Sequence, residues 1–160
     1  MTTIRKAIRA DIPQILDFIR ALAEYERALD AVKATMADLE RDGFGDDPIF
    51  YSVIAEVDSK PAGFALYFFN YSTWVGRPGL FVEDLFVTPE MRRQGIGKAL
   101  LVHLAAVAVG KGCQRMQWKV LDWNHPAIEF YQSLGVTFED EWCNVLLDVE
   151  GIDKLAQLTD

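Results

Sequence analysis

Histidine and cysteine are scarce, with two of each in 160 residues. Cys113 and Cys143 stand apart without metal-ligand or redox spacing, which excludes a disulfide framework or a clustered-thiol zinc site. Both read as core thiols, and no metal is expected. Long apolar runs are missing too: the longest, Ala99 to Val109, is interrupted by His103 and is too short to cross a bilayer. Charged Arg5, Lys6 and Arg9 stand near the start with no apolar leader, so the expected compartment is the cytoplasm, with no membrane partner. Basic residues are outnumbered, 16 Lys and Arg against 24 Asp and Glu, for a net charge of −8. That balance opposes nucleic-acid binding, which rests on basic surface. It suits a small cationic ligand, although solubility alone explains an acidic chain equally well.

What remains is ordinary globular composition, 51% hydrophobic and 25% charged, without repeats or linkers, so residues 1–160 read as a single domain. "TTIRKAI" predicts a first strand. Asp11 is placed to cap a helix with Pro13 in its first turn, and Ile12, Ile15, Leu16, Ile19 and Leu22 follow helical spacing. Thr35 and Asp38 form a capping-box pattern for a second, short helix ended by "DGFGDDP". Strands are predicted over Phe50–Val57, Gly63–Tyr71 and Leu80–Val87, with "DSKP" turning between the first two. A helix follows Gly97, then a strand over Gln114–Leu121, a helix from about Pro126 to Leu134 stopping at Gly135, a last strand around Trp142–Val149, and a helical tail. The class is α/β (α+β): a mixed central sheet with helices on both faces.

"RRQGIGKALL" puts Gly95 and Gly97 where a strand-to-loop passage enters a helix. Helix starts carry unpaired N–H groups and the positive end of the helix dipole. Without Cβ atoms there, an anion can approach those donors, and Arg92, Arg93 and Lys98 add charge. A Walker loop is excluded, because Arg92 stands where its first glycine belongs and Ala99 where Ser or Thr belongs. The dinucleotide fingerprint fails on Leu100, where a third small residue is needed. Read on their own, the glycines serve a tight turn as well as a diphosphate cradle.

"RRQGIG" after a strand and opening a helix resembles the Arg-x-x-Gly-x-Gly signature of the GNAT superfamily of N-acetyltransferases. The resemblance runs nearly the full length through "DGFGDDP", "YSTWVGR", "VEDLFVTPEMRRQGIGKALL", "KGC" and "VLDWNHPAIEFYQSLG". These stretches look like the diamine acetyltransferase branch, and "YSTW" and "VLDWN" look most like its thialysine N-epsilon-acetyltransferase relatives. The resemblance implies the GNAT fold, acetyl-coenzyme A as cosubstrate, a small cationic amine as acceptor, and a homodimer in which C-terminal segments such as "EWCNVLLDV" pack across the interface. An internal strand explains that apolar segment equally well.

Acetyl transfer by direct attack in a ternary complex needs a neutral amine, a held thioester and a proton for the leaving thiolate; no cysteine nucleophile is required. Glu83 and Asp84 interrupt the apolar strand "LFVEDLFV". On an alternating pleat the two cannot share one face, so one of them can point inward, where a salt bridge is the plainer reading. The resemblance implies instead that Glu83 takes the amine proton through water, with Asp84 in support. Tyr131, one helical turn after Ala127, reads by spacing as a packed aromatic; the resemblance makes it the acid that protonates the thiolate. Phenol, with a reference pKa of about 10, is protonated at neutral pH. By the same resemblance the cofactor is held by Leu85, Phe86 and Val87 of the strand, by Arg92, Arg93, Gln94, Gly95, Ile96, Gly97 and Lys98 of the cradle, and by Asn124, Ala127 and Tyr131. Glu26 and Trp74, with Glu83 and Asp84, line the acceptor site by ion pairing and cation–π contact. Ser72 stands where spermidine/spermine enzymes carry an aspartate, which puts polyamine selectivity in doubt; Glu139, Asp140 and Glu141 offer acidity nearby. The alternatives are a protein or peptide amine as acceptor, or a coenzyme A-binding regulatory domain without turnover.

Overall fold

A computed structural model describes residues 1–139 and 141–158. The chain falls into two compact units, Met1–Leu121 and Asp122–Asp160. The first holds a five-stranded sheet in chain order: β1 (Thr2–Lys6), β2 (Tyr51–Val57), β3 (Lys60–Ser72), β4 (Arg77–Val87) and β5 (Arg115–Trp118). Neighbouring strands run antiparallel except β4 and β5, which are parallel. Asp58 and Ser59, at φ 50° and 62°, turn β2 into β3, as a two-residue hairpin turn of the right twist requires.

Helix α1 (Ile12–Tyr25) lays Ile12, Ile15, Leu16 and Phe18 on one sheet face, against Ile54, Phe64, Leu66 and Phe86. Helix α2 (Met36–Phe44) adds Leu39 to this cluster and starts from the expected capping box, with the Asp38 N–H donating to Thr35 Oγ1 at 3.2 Å. Helix α3 (Ile96–Lys111) covers the opposite face with Ile96, Leu100, Leu104 and Ala108, against Val53, Ala55, Ala65, Tyr67, Leu80 and Val82. The sheet is therefore mixed, with helices on both faces, as its pattern predicts. In the second unit, α4 (His125–Ser133) is followed by Gly135 at φ 75°, and α5 (Val149–Ala156) forms the tail.

Three expectations are corrected. Asp11 does not cap α1 with its side chain; its carboxylate takes a two-pronged bond from Arg5 at 2.7 and 2.8 Å and a third from the Ile8 N–H. Arg5 also donates to Glu56 at 2.8 Å, so a guanidinium tying β1, β2 and the entry to α1 wins the oxygens from the helix end. The Arg5 hydrogen bond, first of all, holds the Asp11 carboxyl below its ordinary range. The strand expected over Trp142–Val149 is absent among the described residues: residues 141–148 have no regular structure, and Asp148 instead caps α5 through the Gly151 N–H. Apolar alternation makes a strand only where an edge pairs with it, and here Val145 and Leu146 are 93% and 90% exposed. Exposure also removes Cys143 from the core, whereas Cys113 packs beside the α3 cluster.

Candidate functional site

The glycine stretch enters α3 as expected. Gly95, at φ 81°, occupies the left-handed region, and a side chain there would meet nothing within 4 Å, so the turn itself demands glycine. Arg93 is left-handed as well, at φ 63°. Gly95 supplies no side chain to cap the helix, so no side-chain bond occupies the first N–H groups of α3. Lys98 lies in the first turn. Arg92 is used differently from Arg93: its Nε donates to the Val87 carbonyl at 3.1 Å, and its guanidinium lies 4.7 Å from the centre of the Tyr25 ring. This clamps the end of β4 to the last turn of α1.

The β4–β5 ladder ends at Val82 and Trp118, while β4 runs on through Leu85, Phe86 and Val87 to the glycine turn. Beyond Val82 the two parallel strands are no longer paired. At the same point β4 changes register on its other side. Tyr67 pairs with Val82 and Leu66 with Asp84, which leaves Glu83 as an extra residue in β4. The consequence shows in the packing: Leu80 and Val82 before the bulge and Leu85 and Val87 after it join the α3 cluster. Glu83 is exposed, and Asp84 turns to the α1 face in a cross-strand row with Leu66 and Ser52.

Burial first, then Glu83, then Glu26 push the Asp84 carboxyl up to about 6. Glu26 sits directly after α1 as its C-cap, and its own pKa is raised by burial. Glu26 is thus within electrostatic reach of Asp84. Trp74 is set apart, 86% exposed at the tip of the β3–β4 hairpin. At about 3.3 Å per residue, roughly 20 Å of strand separates that tip from Asp84. Ser72 is buried and braces the hairpin, its Oγ accepting from the Val75 N–H at 3.4 Å.

Asn124, Ala127 and Tyr131 belong to the second unit. Asn124 caps α4, its Oδ1 accepting from the Ala127 N–H at 3.4 Å. Tyr131 is buried, with its ring beside Phe130. Glu139 and Glu141 flank Asp140, which lies outside the described residues. No group of three or more His, Cys, Asp or Glu side chains that could hold a metal occurs among the described residues. Likewise, no helix among them is long and apolar enough to cross a membrane. Sequence reasoning missed Ser52, a buried side-chain hydroxyl without a partner among the described residues, because serine in a β-rich run carries no signal of what lies opposite it.

The family model described as acetyltransferase (GNAT) family matches residues 15–136. The chain belongs to that family. It is an N-acetyltransferase by its relatives, and the glycine turn at α3 and the strand leading to it lie inside the matched range. A thialysine N-epsilon-acetyltransferase from Sus scrofa is 40% identical over 96% of both chains. A spermidine/spermine N(1)-acetyltransferase-like protein 1 from Homo sapiens is 42% identical over 87% of this chain and 21% of its own length. Among solved structures, an integron cassette protein from the mobile metagenome of V. cholerae superposes with a TM-score of 0.79 at 26% identity, covering 98% of both chains.

Proposed function

We propose that this acetyltransferase moves an acetyl group from acetyl-coenzyme A to the primary amine of a small cationic acceptor, thialysine or a diamine, by direct attack in a ternary complex. The observation that carries the reading is the acidic acceptor side: Asp84 on the α1 face and Glu26 at the end of α1 lie within electrostatic reach of each other, one strand segment away from the glycine turn at the start of α3. A cation belongs against the first and a diphosphate against the second.

The residues present fit the cosubstrate. Gly95, left-handed and without neighbours, leaves the N–H donors of α3 open to a phosphate, and Arg93 and Lys98 add positive charge beside them. Past Val82, β4 has no β5 partner, so the backbone of Leu85–Val87 is placed to pair with an extended amide chain. When bound, acetyl-coenzyme A supplies an activated thioester carbonyl. Glu83 is assigned the removal of the ammonium proton through water, with Asp84 in support, on the strength of the family resemblance; this leaves a neutral amine able to attack. Tyr131 is assigned the donation of a proton to the departing sulfur, and Asn124 and Ala127 contact with the pantetheine arm, on the strength of the family resemblance.

Identity at 40% to a thialysine enzyme and Ser72 in place of the polyamine enzymes' aspartate favour thialysine over spermidine. The proposed homodimer draws support from the C-terminal stretch, where Trp142, Val145 and Leu146 are exposed. Sedimentation at micromolar protein should give twice the mass of the chain; a monomer would remove the dimer from the proposal.

The test of the reaction is coenzyme A release with thialysine, lysine, spermidine, spermine and putrescine side by side, with Tyr131→Phe beside the parent. Turnover with thialysine or a diamine, cut at least tenfold in the variant, supports both the reaction and the acid. A preference for spermidine would reverse the argument from Ser72. Silence across the panel with acetyl-coenzyme A still bound would turn the reading toward a protein amine or a non-catalytic domain.

A further inference from the structure

Phe18, Leu22 and Tyr25 fall on one face of α1 at four- and three-residue spacing. Phe18 stacks on Phe64 at 5.4 Å and tilts against Phe86 at 5.9 Å. Two turns further along α1, Tyr25 meets a charge instead. The Arg92 guanidinium lies 4.7 Å from the Tyr25 ring centre and 5.8 Å from that of Phe86. Nε of the same side chain donates at 3.1 Å to the carbonyl of Val87, the last residue of β4. One planar group thus serves a ring of α1, a ring of β4 and the end of the strand. A lysine ammonium, compact and without a planar fork, could not serve all three.

The end of α1 needs such a hold. It closes with a Schellman pair of bonds, from the Ala28 N–H to the Ala23 carbonyl at 2.8 Å and from the Arg27 N–H to that of Glu24 at 3.0 Å. The position that must turn left-handed is Arg27, at φ 60°, where glycine is the ordinary choice. Residues 27–31 beyond it are all exposed. A strained and uncovered helix end persists only where contacts elsewhere hold it.

We propose that Arg92 is a positioning residue that couples the two halves of the site. It ties the end of α1 to the strand and turn that receive the cosubstrate, so that coenzyme A bound at the glycine turn orders the amine side as well. The inference rests on the acetyl-transfer reading above and adds communication within that same site. The path is short. Arg92 is followed directly by left-handed Arg93, then by left-handed Gly95 and the first turn of α3. An anion held there fixes the backbone that carries Arg92, and with it the guanidinium. Tyr25 then stacks on a group whose freedom has already been lost, and the helix end it belongs to frays less. The coupling is reciprocal and cannot exceed the contact that carries it. A stack of ring and guanidinium supports a factor on the order of ten.

The experiment measures amide hydrogen exchange over residues 24–35, with and without coenzyme A, in the parent, Tyr25→Phe, Tyr25→Leu and Arg92→Lys. It is paired with calorimetric titration of thialysine into the free and the coenzyme A-bound protein, and with steady-state kinetics. In the parent, coenzyme A should slow exchange over this segment about threefold or more and tighten thialysine about three- to tenfold. Tyr25→Phe, which keeps the ring, should match the parent. Tyr25→Leu should bind coenzyme A within about threefold of the parent and lose both responses, with KM for thialysine raised about three- to tenfold and kcat within about twofold. Arg92→Lys should lose both responses too. The proposal is overturned by a parent whose segment ignores coenzyme A, or exchanges faster with it because the guanidinium has left Tyr25. It is overturned equally by a Tyr25→Leu variant that keeps the parent's responses, by one that exchanges faster along the whole of α1 (a packing role only), and by loss of both responses in Tyr25→Phe. A parent that shows the exchange response and acetylates none of the amines defeats the transfer reading and keeps the tie, whereas an active parent without the response defeats only this inference.

Discussion

The two faces of the sheet are built from the same strands and differ in one respect. On the α3 face, from Val53 and Ala65 to Leu80, Val82 and Leu100, every buried side chain of the cluster is apolar apart from the Tyr67 hydroxyl. The α1 face begins in the same way, with Phe18 stacked on Phe64 at 5.4 Å, and then meets Ser52 and Asp84. One residue makes the difference. Because Glu83 is inserted, the α3 face keeps its apolar run across the bulge, Val82 passing to Leu85, while the α1 face receives a carboxylate. The bulge lets one strand serve as apolar core on one side and carry a carboxylate on the other.

Breaking the sealed face should have the largest effect. Leu100, fully buried at the centre of the α3 cluster, leaves a cavity when changed to Ala and should cost about 3–4 kcal/mol of unfolding free energy in a denaturant titration. The open face should respond with the opposite sign. Asp84→Asn removes a carboxylate that the folded chain holds partly out of water. Since its folded pKa is raised from 3.8 to about 6, the folded state binds the proton more tightly, and stability falls as pH rises through that window. The variant should therefore gain up to about 3 kcal/mol over the parent at pH 8 and less than about 1 kcal/mol at pH 4, in paired denaturant titrations. Equal stability at both pH values would mean that Asp84 is well hydrated.

Gly95→Ala sharpens the contrast at the start of the helix that seals the α3 face. The space around it is open, so only the left-handed backbone resists a side chain, and the expected loss is about 1–2 kcal/mol, with weaker acetyl-coenzyme A binding by calorimetry. Ser52→Ala, the smallest change, removes a hydroxyl that has no partner and should raise stability by about 1 kcal/mol by thermal melting; the same substitution at a satisfied serine would lower it.

Much of the fold was legible because it is local. Thr35 and Asp38 announce α2 by a bond between residues three apart, and Gly95 marks the turn into α3 by its backbone alone. The family resemblance pointed to the acidic pair and the glycine turn, and the structure gives each a geometry. What failed was competition at a distance. Asp11 has the chemistry of a helix cap, but Arg5 arrives from β1 and takes its oxygens. Val145 and Leu146 have the composition of a strand and no pairing edge among the described residues. Strict alternation set Glu83 and Asp84 on opposite faces as equal candidates, because a bulge depends on where the partner strand resumes its register.

By itself, the sequence determined what a few neighbouring residues can settle: where helices begin, which runs are apolar, where a turn needs glycine, and which stretches mark the acetyltransferase family. Tertiary structure alone decided which of two adjacent carboxylates turned to the α1 face. That choice depends on the pairing of β3 with β4 and on the end of α1, brought together from parts of the chain about sixty residues apart in sequence, and electrostatic energy follows distance in space.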